Sequence, residues 1–329
     1  LNKIDKAEKI EFERNVLLRD ITTMKVGGLA KYYFVAKNAI DLVQAVSQAV
    51  EQKMSYFILG GGSNVIISDS GFNGLVIKNE ARDILVDEAH SIIQTDSGVP
   101  SGKVASVAAS NSLSGAEYLF GIPGTIGGAV YGNAGLRGHE TKEILKDAVV
   151  LIVKEDNKPV IVRKKKEWFE YAYRESKLKR NKNTTKYPPV LISVRLQLYP
   201  ARREVIMERT KEFLGHRRGG KIAGSSLAHA WQPTGLNCSG CIFRNPSDDP
   251  MQAAGKLLDE AGVKKLTEGG AAVAKQHANY IYNKNEAKAK DVYDLIVEAQ
   301  NKVKEKFDVN LDLEVELVGE FNDKEKKKS

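Results

Sequence analysis

The chain has 329 residues, 42% hydrophobic and 28% charged, enough to bury a sizeable core divided into two or three domains. No apolar run approaches the roughly 18 residues of a membrane-spanning helix, no secretory signal pattern is visible, and two cysteines are too few for a disulfide scaffold and fit a reducing compartment. A net charge of +8 favours anionic partners without choosing among nucleotides, nucleic acid and membrane surfaces. Much of the excess is local: the basic run 163–166 reads as solvated surface, and the lysine-rich chain after Phe321 as a disordered tail.

Residues 32–36 predict a strand and residues 39–52 a helix, with Ile40, Val43, Ala45, Val46 and Val50 near helical spacing. The apolar run Tyr56–Leu59 completes a βαβ unit and leads into Leu59-Gly60-Gly61-Gly62-Ser63-Asn64. The β-branched runs at 65–67, 75–77, 84–86 and 92–95 predict one small sheet of antiparallel or mixed strands. A helix over 102–110 precedes the segment 121–135, whose glycine density weakens any regular element. Strands follow at 149–153, 160–162 and 191–198. From Arg202 a charged helix runs to His216, and a polar, glycine-containing stretch to Gly240 marks a domain boundary. A helix over 251–261, a strand over 280–283, a long helix over 290–306 and a final strand then predict a second domain of α+β type.

Glycines let main-chain N–H groups approach a ligand closely, and successive N–H groups in turns form concavities for anions such as a pyrophosphate. Two glycine-rich loops therefore point to one large phosphorylated cofactor. Neither is a better-known phosphate binder: no Gly-Lys-Ser/Thr follows Gly60, and no Gly-x-Gly-x-x-Gly opens a helix at the first crossover. Cys238 and Cys241 lack the further ligands that a structural zinc site needs, His229 standing alone upstream, and their surroundings read as a loop rather than a redox helix; no metal is expected. Residues 311–317 alternate apolar and acidic, the pattern of a half-buried strand, and the spacing treats Asp312, Glu314 and Glu316 alike.

Five motifs in order, Thr22-Thr23-x-x-Val26-Gly27-Gly28, Leu59-Gly60-Gly61-Gly62-Ser63-Asn64-Val65, Gly121-Ile122-Pro123-Gly124-Thr125-Ile126-Gly127-Gly128-Ala129, Tyr173-Arg174-x-Ser176 and Phe243-Arg244-Asn245-Pro246, resemble those of the UDP-N-acetylenolpyruvoylglucosamine reductase family. The resemblance covers nearly the whole chain and is similar to the subtype lacking an extra tyrosine-bearing insertion. It implies an α+β protein: an N-terminal segment (1–20), an FAD-binding region of the vanillyl-alcohol-oxidase type (21–200), a substrate-binding domain (201–319) and a tail (320–329). It further implies non-covalent FAD and NADPH as reductant in a cytoplasmic, monomeric enzyme of peptidoglycan precursor synthesis. That enzyme would turn UDP-N-acetylglucosamine enolpyruvate into UDP-N-acetylmuramate, with no nucleic-acid partner and no membrane insertion. The cofactor would lie on Val26, Gly27, Gly28, Leu59, Gly60, Gly61, Gly62, Ser63, Asn64, Gly121, Ile122, Pro123, Gly124, Gly127, Gly128 and Ala129, and the substrate on Tyr131, Asn133, Tyr173, Arg244 and Asn245.

Enol ether reduction needs a cation for the substrate carboxylate and the charge developing beside it. It also needs a proton donor within reach of the carbanionic carbon. The resemblance assigns the first role to Arg174, whose planar fork suits a carboxylate, and counting back from Gly319 assigns the catalytic Glu to Glu314. Where the family usually has Ser, this chain has Cys241; an ordinary thiol, with a pKa near about 8.5, is still mostly protonated at pH 7 and is a competent donor. Two other departures are Gly132, where Met is common, and a long segment 219–232 that would form a loop over the site. The competing readings are an oxidase of the same fold, with His139 the nearest candidate for covalent flavin attachment, and a non-catalytic nucleotide or nucleic-acid binder.

Overall fold

A computed structural model of the chain describes residues 9–182, 184–217 and 235–321. The expected basic tail, His229 and the whole of the 219–232 segment lie outside the described residues. The chain forms two compact units: the first comprises Leu1–Asn15, Lys31–Gly61 and Asn73–Leu214, the second Val16–Ala30, Gly62–Phe72 and Gly215–Ser329.

In the first unit the helix Ala39–Glu51 starts where the side chain of Asn38 accepts from Asp41 N at 2.9 Å, satisfying one of the orphan donors of a helix start. Its buried face is Leu42, Val43, Ala45, Val46, Ala49 and Val50. The strands flanking it, Leu29–Ala36 and Tyr56–Leu59, belong to one sheet, in the order Glu13–Leu17, Leu29–Ala36, Phe72–Asn79, Tyr56–Leu59. The βαβ expectation therefore holds with one strand inserted: Phe72–Asn79 runs parallel to Tyr56–Leu59, pairing Leu59 with Lys78. A second sheet, antiparallel throughout, has the order Pro159–Lys165, Leu145–Val153, Val190–Gln197, Ile92–Asp96, Ile84–Asp87. It packs with the helices Ser101–Ser110 and Ile126–Gly132 around Ile93, Val104, Leu119, Ile126, Val130 and Leu196.

The second unit is α+β. Its sheet runs Asn237–Cys238, Ile281–Asn283, Ala271–Val273, Thr267–Glu268, and the helix Ala289–Phe307 buries Val292, Leu295, Ile296, Ala299 and Val303 in the same core as Ala271, Val273 and Ile281. Val65–Ile67 pairs in parallel with Glu316–Val318. The four β-branched runs after the first glycine loop thus do not form one sheet: they enter three. Each was amphipathic enough to be a strand, but strand character does not name a partner. The helix expected over 251–261 is a 3-10 turn, Pro250–Gln252, followed by the helix Ala254–Glu260.

Candidate active site

In the first unit the strand Tyr56–Leu59 delivers the chain to Gly60 and Gly61. A Cβ on Gly60 would stand 2.6 Å from Thr125 Oγ1, and one on Gly61 2.6 Å from Gly124 Cα. The two glycine stretches, 64 residues apart at Gly60 and Gly124 by number, therefore lie backbone against backbone, which only residues without side chains permit. Thr125 Oγ1 accepts from Gly128 N at 3.3 Å at the start of Ile126–Gly132, and Gly127 N donates to Ser97 O at 2.8 Å. Gly121 closes the 3-10 turn Glu117–Gly121, Ile122 N donates to Leu119 O at 3.1 Å, Pro123 leads to Gly124, and Ala129 is buried.

Two neighbours of this cradle escaped the sequence reading. Lys78 Nζ donates to Gly60 O at 2.6 Å, and burial lowers its pKa from the usual lysine value. Its only signal in sequence is a lysine at the end of the buried run 75–77. Ser101 is fully buried, its N donates to Gly124 O at 3.0 Å, and its hydroxyl has no hydrogen-bond partner among the described residues. Buried polar groups are nearly always satisfied. Closely approachable amides, a partly desolvated ammonium and an orphaned hydroxyl together fit a dinucleotide cofactor.

The remaining glycine candidates lie in the second unit. Gly28 N donates to Ser68 O at 2.9 Å, and a Cβ there would stand 2.1 Å from Asp69 O. Val26 is buried, and a Cβ on Gly27 would press on Ile67. Gly62 O accepts from Thr23 N at 3.0 Å, Ser63 follows, and Asn64 Nδ2 donates to Glu314 O at 3.2 Å.

Arg174 belongs to the first unit and occupies the left-handed region, φ 54°, in a tight turn closed by the Ala172 and Glu175 bridge. Its Nη2 donates to Gly135 O at 2.7 Å, and its guanidinium lies 5.1 Å from the ring centre of the exposed Tyr173. The turn is tied to the glycine-rich segment twice: Ser176 Oγ donates to Tyr131 O at 2.6 Å, and Asn133 Nδ2 donates to Ala172 O at 2.9 Å. Asn133 Oδ1 accepts from Lys142 N at 3.0 Å and the residue is 0% exposed, so its amide is spent on holding backbone. Glu170, beside the same turn, pairs with Lys177 and Arg180. His139 packs its ring on Tyr118 and Phe213.

Cys241, Arg244, Asn245 and Glu314 are gathered in the second unit. Glu314 N donates to Ile242 O at 2.8 Å, Arg244 N to Asp312 O at 2.9 Å, and Arg244 Nε to Leu313 O at 3.1 Å. The segment after Cys241 is thus laced to the one carrying Glu314. Asp312 is exposed while Glu314 is half-buried, a distinction the alternating pattern does not contain. Asn245 Oδ1 accepts from Ala254 N at 3.0 Å and caps the helix Ala254–Glu260. Behind Cys241 stands Tyr280, 6% exposed, its hydroxyl hydrogen-bonded to the thiol. Burial first, then the charge of Cys241 and that hydrogen bond, with Cys238 and Glu314 adding to them, hold the phenol far above the usual tyrosine range. Burial also pushes the Cys238 thiol up. His277 packs edge-on to Tyr280 with ring centres 5.0 Å apart, and its Nδ1 accepts from Asn279 N at 3.2 Å.

Residues 30–153 match the model of an FAD-binding domain, and residues 232–318 that of the UDP-N-acetylenolpyruvoylglucosamine reductase C-terminal domain. A UDP-N-acetylenolpyruvoylglucosamine reductase of Caldicellulosiruptor saccharolyticus is 36% identical over 314 residues, covering 95% of this chain and 93% of its own. UDP-N-acetylenolpyruvoylglucosamine reductase 1 of Bacillus cereus is 33% identical over 306 residues, covering 93% and 94%. The crystal structure of the reductase from Thermus caldophilus superposes with a TM-score of 0.73 at 31% identity, over 94% of this chain and 99% of that one. With both domain types present and relatives matched nearly end to end, the chain belongs to the UDP-N-acetylenolpyruvoylglucosamine reductase family of FAD-dependent oxidoreductases.

Proposed function

We propose that the protein reduces UDP-N-acetylglucosamine enolpyruvate to UDP-N-acetylmuramate with NADPH, acting as a monomer in the cytoplasm, with residues 21–200 serving FAD and residues 201–319 the substrate. Bound flavin supplies the hydride chemistry, accepting from NADPH and giving to the enolpyruvyl methylene carbon. The glycine loops at 59–64 and 121–129, with Val26, Gly27 and Gly28, hold that cofactor through main-chain amides. Arg174 holds the substrate carboxylate in two-point contact and stabilises the negative charge that develops beside it. Cys241 delivers its thiol proton to the neighbouring carbon, and the thiolate left behind regains a proton from water. Glu314 orients the substrate, Arg244 takes a phosphate or carboxylate, and Tyr131, Tyr173 and Asn245 line its sugar or uridine. Asn133 serves the substrate indirectly, by holding the turn that carries Arg174.

The observation that carries this reading is the lacing of the segment after Cys241 to the segments carrying Tyr280 and Glu314, through Ile242 N to Asn279 O at 2.9 Å and Glu314 N to Ile242 O at 2.8 Å, in a unit matched to the family's C-terminal domain. The net charge of +8 suits a substrate with two phosphates and a carboxylate. The test is anaerobic: NADPH bleaches the flavin, the enolpyruvyl substrate is added, and the oxidised band is followed. Fast recovery in the parent and loss of recovery in Cys241→Ala, with bleaching unchanged, is the expected result; Cys241→Ser keeps partial turnover. A flavin that stays bleached until air enters would refute the substrate, and equal recovery in Cys241→Ala would remove the thiol from the mechanism.

A further inference from the structure

Tyr280 has no place in the roles assigned so far, yet its side chain meets the Cys241 thiol. Its position follows from the sheet. Asn237–Cys238 pairs with Ile281–Asn283, bringing Cys238 opposite Tyr282. One step further, Ile242 N donates to Asn279 O at 2.9 Å, and Asn279 clamps Phe243 from both sides, accepting from Phe243 N at 2.9 Å and donating Nδ2 to Phe243 O at 2.8 Å. Cys241 is therefore held alongside Tyr280 by pairing on either side of it. The ring itself is fixed: Ala274 N donates to Tyr280 O at 2.8 Å, His277 packs edge-on at 5.0 Å, and only 6% of the residue is exposed.

We propose that Tyr280 is a positioning residue for Cys241, its hydroxyl aiming the thiol before proton transfer and donating a hydrogen bond to the thiolate afterwards; this rests on Cys241 being the proton donor. A thiol turns freely about its Cβ–Sγ bond, so a second fixed polar atom is needed to aim the S–H. When the proton moves to the substrate carbon, sulfur keeps the bonding pair as a thiolate, and the thiolate later takes a proton from water. Besides Cys241, the ionisable groups around the phenol are Cys238, Glu314 and His277, whose ring packs edge-on to it. A phenol that stays protonated at every working pH is the donor this step calls for, since hydrogen bonds to charged acceptors are the strong ones. Phenylalanine at this position would fill the same space without the hydroxyl.

The test uses Cys238→Ala holoenzyme as parent, leaving one thiol in the chain, and compares Tyr280→Phe in that background. The pH dependence of Cys241 alkylation by iodoacetamide reads the contact directly. Its midpoint is expected to rise by about one pH unit on loss of the hydroxyl. Flavin bleaching by NADPH should be unchanged, recovery with the enolpyruvyl substrate should slow about tenfold, and adding Tyr280→Phe to Cys241→Ala should cost nothing further. An unmoved alkylation midpoint overturns the proposal, and so does a raised midpoint with recovery at the parental rate. Recovery at the parental rate in Cys241→Ala instead sinks the proton-donor reading, and the alkylation midpoint still judges the contact.

Discussion

Arg174 is held by its backbone as much as by its side chain. A non-glycine residue at φ 54° is uncommon, and the bridge between Ala172 and Glu175 keeps it there. Lysine in its place would keep the charge and lose the planar fork that spans both carboxylate oxygens. Arg174→Lys should therefore leave flavin bleaching by NADPH intact and slow recovery by the enolpyruvyl substrate about 100-fold, in the range found for lost transition-state donors; stopped-flow absorbance reads both phases. The neighbouring acids separate in the same assay. Glu314 is tied to Ile242 O through its backbone and lies within electrostatic reach of Tyr280, whereas Glu316 sits in the strand Glu316–Val318. Glu314→Gln should lower recovery at least tenfold while Glu316→Gln stays within a factor of about two; the reverse order would place the catalytic carboxylate two residues later.

At the scale of elements, the loop after Tyr56–Leu59 is limited by contact between two backbones. A Cβ on Gly61 would sit 2.6 Å from Gly124 Cα, and no rotamer relieves a clash with main chain. Gly61→Ala should emerge with less than about a tenth of the parental flavin, read as the ratio of visible to ultraviolet absorbance, while far-ultraviolet circular dichroism stays native. The five-stranded sheet carries a different constraint. Asp147, buried on Leu145–Val153, accepts from Arg163 Nη1 at 2.7 Å on one neighbouring strand and from Arg195 Nε at 2.8 Å on the other. Burial alone raises its carboxyl, but the hydrogen bonds and charges of Arg195 and Arg163 outweigh burial and hold it below the usual range. A depressed carboxyl contributes stability that is present above its unfolded pKa, near about 3.9, and is lost as pH falls through the folded value. Asp147→Asn should cost about 2 kcal/mol at pH 7, below the roughly 3–5 of a fully buried pair because both arginines reach solvent. Denaturant melts should also show a smaller stability loss between pH 5 and pH 3 in the variant than in the parent.

For the whole molecule, the second unit is assembled from chain segments far apart in sequence. Val65–Ile67 finds its parallel partner in Glu316–Val318, and Asp69 accepts from Ala289 N at 2.8 Å and Lys290 N at 2.9 Å at the start of the long helix. Closing such loops costs chain entropy before the pairing repays it, which slows folding. A cofactor that binds only the folded chain shifts that balance by mass action. Stripping FAD should lower the thermal midpoint, and restoring it at about a thousandfold excess over Kd should add about 4 kcal/mol of stability; differential scanning calorimetry of apo and reconstituted protein measures it. An unchanged midpoint would mean that FAD does not bind the folded chain in preference to the unfolded one, and would remove the glycine cradle as its site.

The sequence by itself determined the local and the chemical: a helix over 39–52 from its apolar spacing, glycine loops from their density, the α+β second domain from its succession of elements, and the family from five motifs in order. Tertiary structure alone decided partnership. Four β-branched runs alike in composition went to three sheets, because periodicity reports that a face is buried and never against what. The alternation over 311–317 offers three acids, and the hydrogen bond from Glu314 N to Ile242 O, more than seventy residues away by number, is what sets Glu314 beside the segment after Cys241. Lys78 and Tyr280 carry no motif at all. Each becomes chemically distinctive through what folding buries beside it, Gly60 O for the one and the Cys241 thiol for the other, since burial turns an ordinary polar side chain into one whose partner decides its protonation.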